Sequence, residues 1–169
     1  MLNSRELLEE GIVTGPIDNE NISQVGIDLN VISIESIVAG GGYIPKTGKT
    51  QLNGYRECPS IMLADGTIVY TLEPGAYNVE MAQGCSIPED VTLLIRQRSS
   101  LLRNGASLHS SVFDPGFKTD SIGTVLVVHV PLRIEKGARI CQIYGHRNTP
   151  VKEEDLYDGQ WQNDSQRNG

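Results

Sequence analysis

From Gly26 to Tyr144 the chain is a succession of short apolar runs separated by turn residues, and this pattern constrains the fold more than any other feature. In "GIDLNV", Ile27, Leu29 and Val31 alternate with other residues, the period-two signature of a half-buried strand. "VTLLIRQ", "GTVLVVHV" and "ARICQIY" are further strands, the last with Ile140, Gln142 and Tyr144 on one face. In "IMLADGTIVYTL" the pair Asp65-Gly66 stands between two apolar runs and predicts a type I′ hairpin turn. Pro74-Gly75 in "EPGAY" predicts a type II turn. About a dozen short strands so closely spaced argue for one all-β barrel or sandwich. A length of 169 residues suits a single domain, 1–169, with a core of its own.

One helix precedes the strands. In residues 1–12, Asn3 can cap, Glu6 follows three residues on, Leu7 and Leu8 supply an apolar stripe and Gly11 ends it. A second short helix is predicted inside "RQRSSLLRNG" (residues 96–105), where arginines flank Ser99 and Ser100 at the end of an apolar strand. Residues 39–57, "AGGGYIPKTGKTQLNGYRE", form a long excursion, and the polar segment 154–169 predicts a mobile tail.

Charge and composition narrow the function. A formal net charge of −7 argues against nucleic-acid polymers, which need clustered Lys and Arg, but leaves room for a nucleotide. No apolar run approaches the ~18 residues that span a bilayer, and the polar, acidic start predicts no secretory signal and a cytoplasmic protein. Cys58, Cys85 and Cys141 are spaced too widely for a disulfide framework or a zinc site. His109, His129 and His146 are equally dispersed. "GYIPKTGKT" is not a P-loop, because five residues rather than four separate its glycines and no helix start follows.

Three stretches could carry chemistry. Ser99, Ser100 and the arginines around them offer hydroxyls, N–H groups and guanidinium forks to a phosphate chain, or else an ordinary cap with exposed charges. Asp114 in "VFDPGF" is a turn former or a base. "KGARICQIYGH" places Arg139 and Gln142 on a strand, and Asp28 in "VGIDLNV" needs a partner among its apolar neighbours.

Taken in order, "VGIDLNV", "RSSLLRNG", "VFDPGF", "KGARICQI" and "YDGQWQ", behind the opening helix, resemble the motifs of the dUTPase and dCTP deaminase superfamily, in particular its archaeal-type members. The resemblance implies a distorted jelly-roll β-barrel and a homotrimer with three active sites at subunit interfaces. It implies a deoxynucleoside triphosphate as ligand, with Mg²⁺ carried on the phosphates rather than by protein ligands. Ser99 and the Ser100 backbone, with Arg98, Arg103 and Gln142, would contact phosphates, and Asp114 would activate water. Phe117 would face the deoxyribose, the hairpin over 109–128, including Ser110 and Ser111, would hold the base, and Trp161 could stack on it. Arg167 could meet the terminal phosphate, while Asp28 would orient an arginine.

The family's deaminases carry a glutamate five residues past a glycine on the strand after the Asp-Pro-Gly turn. Taking Gly123 as that glycine puts Val128 at the acid's position, and "GTVLVVHV" holds no carboxylate at all. The resemblance therefore implies a dUTP diphosphatase yielding dUMP and pyrophosphate. The alternatives are a diphosphatase for dCTP or a modified pyrimidine nucleotide, and a non-catalytic trimeric binding module.

Overall fold

The computed structural model describes residues 1–163. Helix α1 (Ser4–Glu9) starts with the capping box foreseen: the Asn3 side chain accepts from the Glu6 N–H at 3.1 Å, and Glu6 answers by accepting from the Asn3 N–H at 2.8 Å. Leu7 is fully buried, which stabilises the fold by roughly 2 kcal/mol. Strand β1 (Val13–Thr14) is followed by β2 (Ile27–Val38), β3 (Gly54–Glu57), β4 (Ser60–Met62), β5 (Ile68–Leu72), β6 (Gly75–Met81), β7 (Gly84–Ser86) and β8 (Val91–Gln97). Then come helix α2 (Ser99–Arg103) and strands β9 (Ala106–His109), β10 (Lys118–Thr119), β11 (Gly123–Val128), β12 (Leu132–Glu135) and β13 (Arg139–Arg147). A 3₁₀ turn at Glu153–Asp155 leads into the tail. No helix among the described residues is long and apolar enough to cross a membrane.

The main sheet runs β8-β13-β2-β6-β11-β9, with β3 added on β2, and it curls until its ends nearly meet. Gln97 at the end of β8 accepts from the Leu108 N–H of β9 at 2.9 Å, and Leu93 exchanges two backbone hydrogen bonds with Phe113. Two small sheets, β1-β7-β10 and β12-β5-β4, flank this barrel. The expected class, an all-β distorted jelly-roll barrel with one short helix at the start and one inside, is the one observed.

Bulges explain where simple alternation breaks. Ile27, Leu29 and Val31 point into the core, but the register against β6 slips between Val31 and Ser33, so Ile34 is the next inward residue and Ile32 faces out. A second irregularity between Arg139 and Cys141 buries Ile140 while Gln142 and Tyr144 stay half-buried, so the inner face of β13 is Cys141 and Ile143. Two turns also differ from expectation. At the β4–β5 hairpin the Gly66 N–H bonds the Leu63 carbonyl, so Ala64-Asp65 are central and only Gly66 (φ +86°) is left-handed, which excludes type I′. Gly75 lacks positive φ and opens β6 directly; the Tyr77 hydroxyl, donating to the Glu73 carbonyl at 2.5 Å, shapes that corner instead.

The three cysteines are buried and unpaired, and burial pushes the Cys85 and Cys141 thiols up to about 12. Un-ionised at neutral pH, they are structural rather than nucleophilic.

Candidate active site

Asp114 stands at the rim of a cleft of about 470 Å³. The Phe117 N–H donates to the Asp114 carbonyl at 3.1 Å, with Pro115 second and Gly116 (φ +88°) third, which is a type II turn. Gly116 is required twice over, since a Cβ there would also lie 2.9 Å from Leu156 and Tyr157. Backbone and the Pro-Gly pair thus make the turn without help from the Asp114 side chain. Its carboxylate is exposed and accepts no hydrogen bond from any described residue. Asp65 shows the contrast: its carboxylate accepts from the Thr67 N–H at 2.9 Å, and that bond holds its pKa below the usual value. Asp65 is a turn former; Asp114 is a carboxylate presented to a cleft.

Ser110, Ser111, Phe117 and Trp161, all expected at a base and sugar site, line the same cleft. Phe117 is buried between Phe113 (ring centroids 5.6 Å apart) and Tyr157 (5.4 Å, edge to face). The tail expected to be mobile is hydrogen-bonded onto the Asp114 turn as far as Asn163. Tyr157 N–H donates to the Pro115 carbonyl at 2.9 Å, and Gln162 takes the Lys118 N–H at 2.8 Å and gives to the Gly116 carbonyl at 2.9 Å. Gln160 bonds both the N–H and the carbonyl of Thr50, each at 2.9 Å. The excursion therefore meets the tail, and its Leu52 and Tyr55 complete the cleft wall. Arg167 lies outside the described residues.

The residues expected to bind phosphates form a second group. Asp28, 6% exposed, pairs through Oδ2 with the Arg98 Nε at 3.3 Å and accepts the Gln142 amide on Oδ1 at 3.2 Å. Gln142 also donates to the Ser23 hydroxyl at 2.6 Å. Ser99 and Ser100 are exposed at the first turn of α2, where backbone N–H groups have no helical acceptor, and Arg103 is exposed at its end. None of Arg98, Ser99, Ser100, Arg103 or Gln142 lines the Asp114 cleft. Leu93, the partner of Phe113, lies five residues before Arg98, which follows the end of β8, so the Asp114 end of the cleft stands roughly 16 Å from Arg98 along the chain, while Ser110 at the other end of the cleft donates to the Ile95 carbonyl at 3.5 Å. Asp28→Ala is expected to destabilise the protein by about 1–3 kcal/mol, because Arg98 and Gln142 each lose one acceptor, although Gln142 keeps the Ser23 hydroxyl, Arg98 keeps the Arg139 carbonyl and Arg98 remains partly hydrated. Thermal unfolding should show it as a lowered Tm.

Residues 3–147 match the protein family described as dCTP deaminase-like. The chain belongs to that family. A Halobacterium salinarum protein named probable deoxyuridine 5′-triphosphate nucleotidohydrolase is 31% identical over 153 residues, covering 88% of this chain and 87% of the relative. An Aeropyrum pernix protein of the same name is 37% identical over 84% of this chain and 85% of its own. A Methanocaldococcus jannaschii deoxyuridine 5′-triphosphate nucleotidohydrolase is 38% identical over 75% and 79%. The crystal structure of 2′-deoxycytidine 5′-triphosphate deaminase from Agrobacterium tumefaciens superposes with a TM-score of 0.64 at 15% identity, over 85% of this chain and 46% of that one. At that identity the likeness is one of fold.

Val128, expected where the family's deaminases carry their glutamate, does not reach the cleft. It is 2% exposed and sits at the far end of β11 opposite Ala106 and Gly75. The β11 residues that line it are Gly123, Thr124 and Val125, none of them acidic. The shift arises because Asp120–Ile122 separate β10 from β11, and strand pairing rather than the count from a glycine decides which residues reach the cleft. The acid facing this end of β11 is Glu80, opposite Gly123 on β6, and its two oxygens accept from Asn78 and Ser121. Asn78, Leu52 and Tyr55 were not foreseen in the cleft, whereas Thr119, Ser121 and Thr124 belong to the 109–128 hairpin expected to hold the base; Tyr157 carried a signal as the first residue of "YDGQWQ". His109 also lines the cleft, and the Ser107 hydroxyl links it to His129 at 3.4 and 3.1 Å, so two of the dispersed histidines meet across β9 and β11.

Proposed function

We propose that the protein is a dUTP diphosphatase, hydrolysing dUTP to dUMP and pyrophosphate, with Asp114 as the general base. The observation that carries this reading is the Asp114 carboxylate, held on a rigid type II turn at the cleft and unused by the turn itself. The archaeal relatives named as deoxyuridine triphosphate nucleotidohydrolases, matched over most of both chains, support the substrate.

In this mechanism Asp114 orients a water and takes its proton as the water oxygen attacks the α-phosphorus. The bond from that phosphorus to the α–β bridging oxygen breaks, and pyrophosphate leaves. Arg98 and Arg103, the hydroxyl of Ser99, the N–H of Ser100 and the amide of Gln142 bind the phosphate oxygens, Arg98 being aimed by Asp28. Phe117 packs against the sugar, and Ser110, Ser111 and Trp161 flank the base. Mg²⁺ would be carried by the triphosphate oxygens, as the resemblance implies. When bound it neutralises phosphate charge and aligns the chain for displacement.

The separation of the Asp114 cleft from the phosphate-binding group supports a site assembled from two protomers, in the homotrimer that the sequence motifs imply. Each protomer would give its cleft to one site and its Arg98 cluster to the next.

The decisive experiment incubates purified protein and Mg²⁺ with dUTP, dCTP or UTP and resolves the products by chromatography. dUMP and pyrophosphate from dUTP, with little from UTP, is the expected result. dCMP as the main product would transfer the reading to a dCTP diphosphatase, and deaminated product from dCTP would overturn it.

A further inference from the structure

The floor of the cleft holds a polar group that the fold leaves unused. Thr124 lies on β11 between β6 and β9, on the inward face it shares with Leu126 and Val128, and is 5% exposed. Its Oγ1 is the one buried side-chain nitrogen or oxygen among the described residues with no hydrogen-bond partner. Leaving a buried hydroxyl unpaired is destabilising, and valine would give the same shape and β preference without that cost. The neighbouring polar side chains are all engaged. Asn78 donates to Glu80 at 3.2 Å; Ser121 donates to Glu80 at 3.0 Å and to the Met81 carbonyl at 2.8 Å; Thr119 donates to the Ser121 carbonyl at 2.8 Å. All four residues line the cleft, and only Thr124 has nothing to bind.

We propose that Thr124 is a specificity-determining residue, whose hydroxyl hydrogen-bonds a ring carbonyl or ring N–H at the edge of the bound pyrimidine. The inference rests on the cleft being the nucleotide site. The apolar Val112, Phe113, Phe117 and Val125 around the cleft can cover the faces of a ring but cannot distinguish its polar edge. A single hydroxyl at the floor of such a cleft can, because a ligand that fails to pair with it leaves both partners unsatisfied. Asn78, fixed through its amide by Glu80, stands beside it as a second polar contact.

The test compares wild type with Thr124→Val and Thr124→Ser, measuring kcat/KM on dUTP, dUMP affinity by calorimetry, and Tm. The expected outcome is a loss of about 10–100-fold in kcat/KM for Thr124→Val, with weaker dUMP binding and a Tm equal to or above wild type. Thr124→Ser, which keeps the hydroxyl, should recover most of the loss. Unchanged kcat/KM in Thr124→Val, with or without a lowered Tm, would make the hydroxyl structural and overturn the inference while the diphosphatase reading stands. Wild-type protein that neither turns over dUTP nor binds dUMP would overturn the nucleotide reading, and this inference with it.

Discussion

Asp114→Asn is expected to lower kcat on dUTP by about 10³-fold, the scale set by removing a positioned general base, while substrate binding and Tm stay close to wild type. The reasoning turns on what the side chain does in the fold. A turn is already secured by the Phe117 N–H to Asp114 carbonyl bond, by Pro115 and by the left-handed Gly116, all of which survive the substitution. Asparagine is isosteric, tolerates the first position of a turn, and can still hydrogen-bond a water, but it cannot take the proton. Because the carboxylate accepts no hydrogen bond from described residues, its loss removes no structural contact. The opposite pattern, near-normal turnover with a lowered Tm, would make Asp114 a turn former and leave the cleft without a base. Single-turnover kinetics and calorimetry on the same preparation separate the two.

Ending the chain at Leu156 should be nearly as damaging to catalysis, by about 10²-fold or more, since a misplacement of about an ångström at a reacting group costs that much. Residues 157–163 take up the Pro115 and Gly116 carbonyls and both backbone groups of Lys118, and Tyr157 covers the Phe117 ring. Without them the turn that carries Asp114 loses its outer bracing, and the cleft loses the Tyr157 and Trp161 side of its wall. Stability should suffer less, because Tyr157 and Trp161 pack against the core only in part. Trp161 is the chain's one tryptophan, so its fluorescence reports the tail directly in the full-length protein. Gln160→Ala, which cuts only the link to Thr50, should alter that emission while leaving the Asp114 turn braced through Gln162. A truncated protein with wild-type kcat/KM would show that the tail is not part of the site.

What the sequence made legible was local. The Asn3–Glu6 box, the inward set Ile27, Leu29 and Val31, the turn at Asp114 and the need of Asp28 for a partner each follow from a few neighbouring residues, and each is present. What it hid depends on distant pairing. The bulge after Val31 is set by the register against β6, and the β4–β5 turn by a Leu63–Gly66 bond that the Asp-Gly pair alone does not specify. The error at Val128 is of the same kind: counting along the chain ignores the three residues between β10 and β11, whereas pairing with Glu80 and Val79 brings Gly123 and Thr124 to the cleft. Nor does anything in "AGGGYIPKTGKTQLNGYRE" announce that Thr50 will meet Gln160, 110 residues away.

In the proposed mechanism one site for dUTP is built from the Asp114 cleft of one protomer and the Arg98 cluster of its neighbour. Coexpression of Asp114→Asn with Arg98→Ala chains, followed by an assay of dUTP hydrolysis, puts that sharing to the test. Each variant alone should be inactive or nearly so, but random mixing in a symmetric ring leaves about a quarter of the sites with both residues intact. Recovery of about a quarter of wild-type activity is the result predicted. Mixed assemblies no more active than the two variants measured separately would contradict a site shared between protomers.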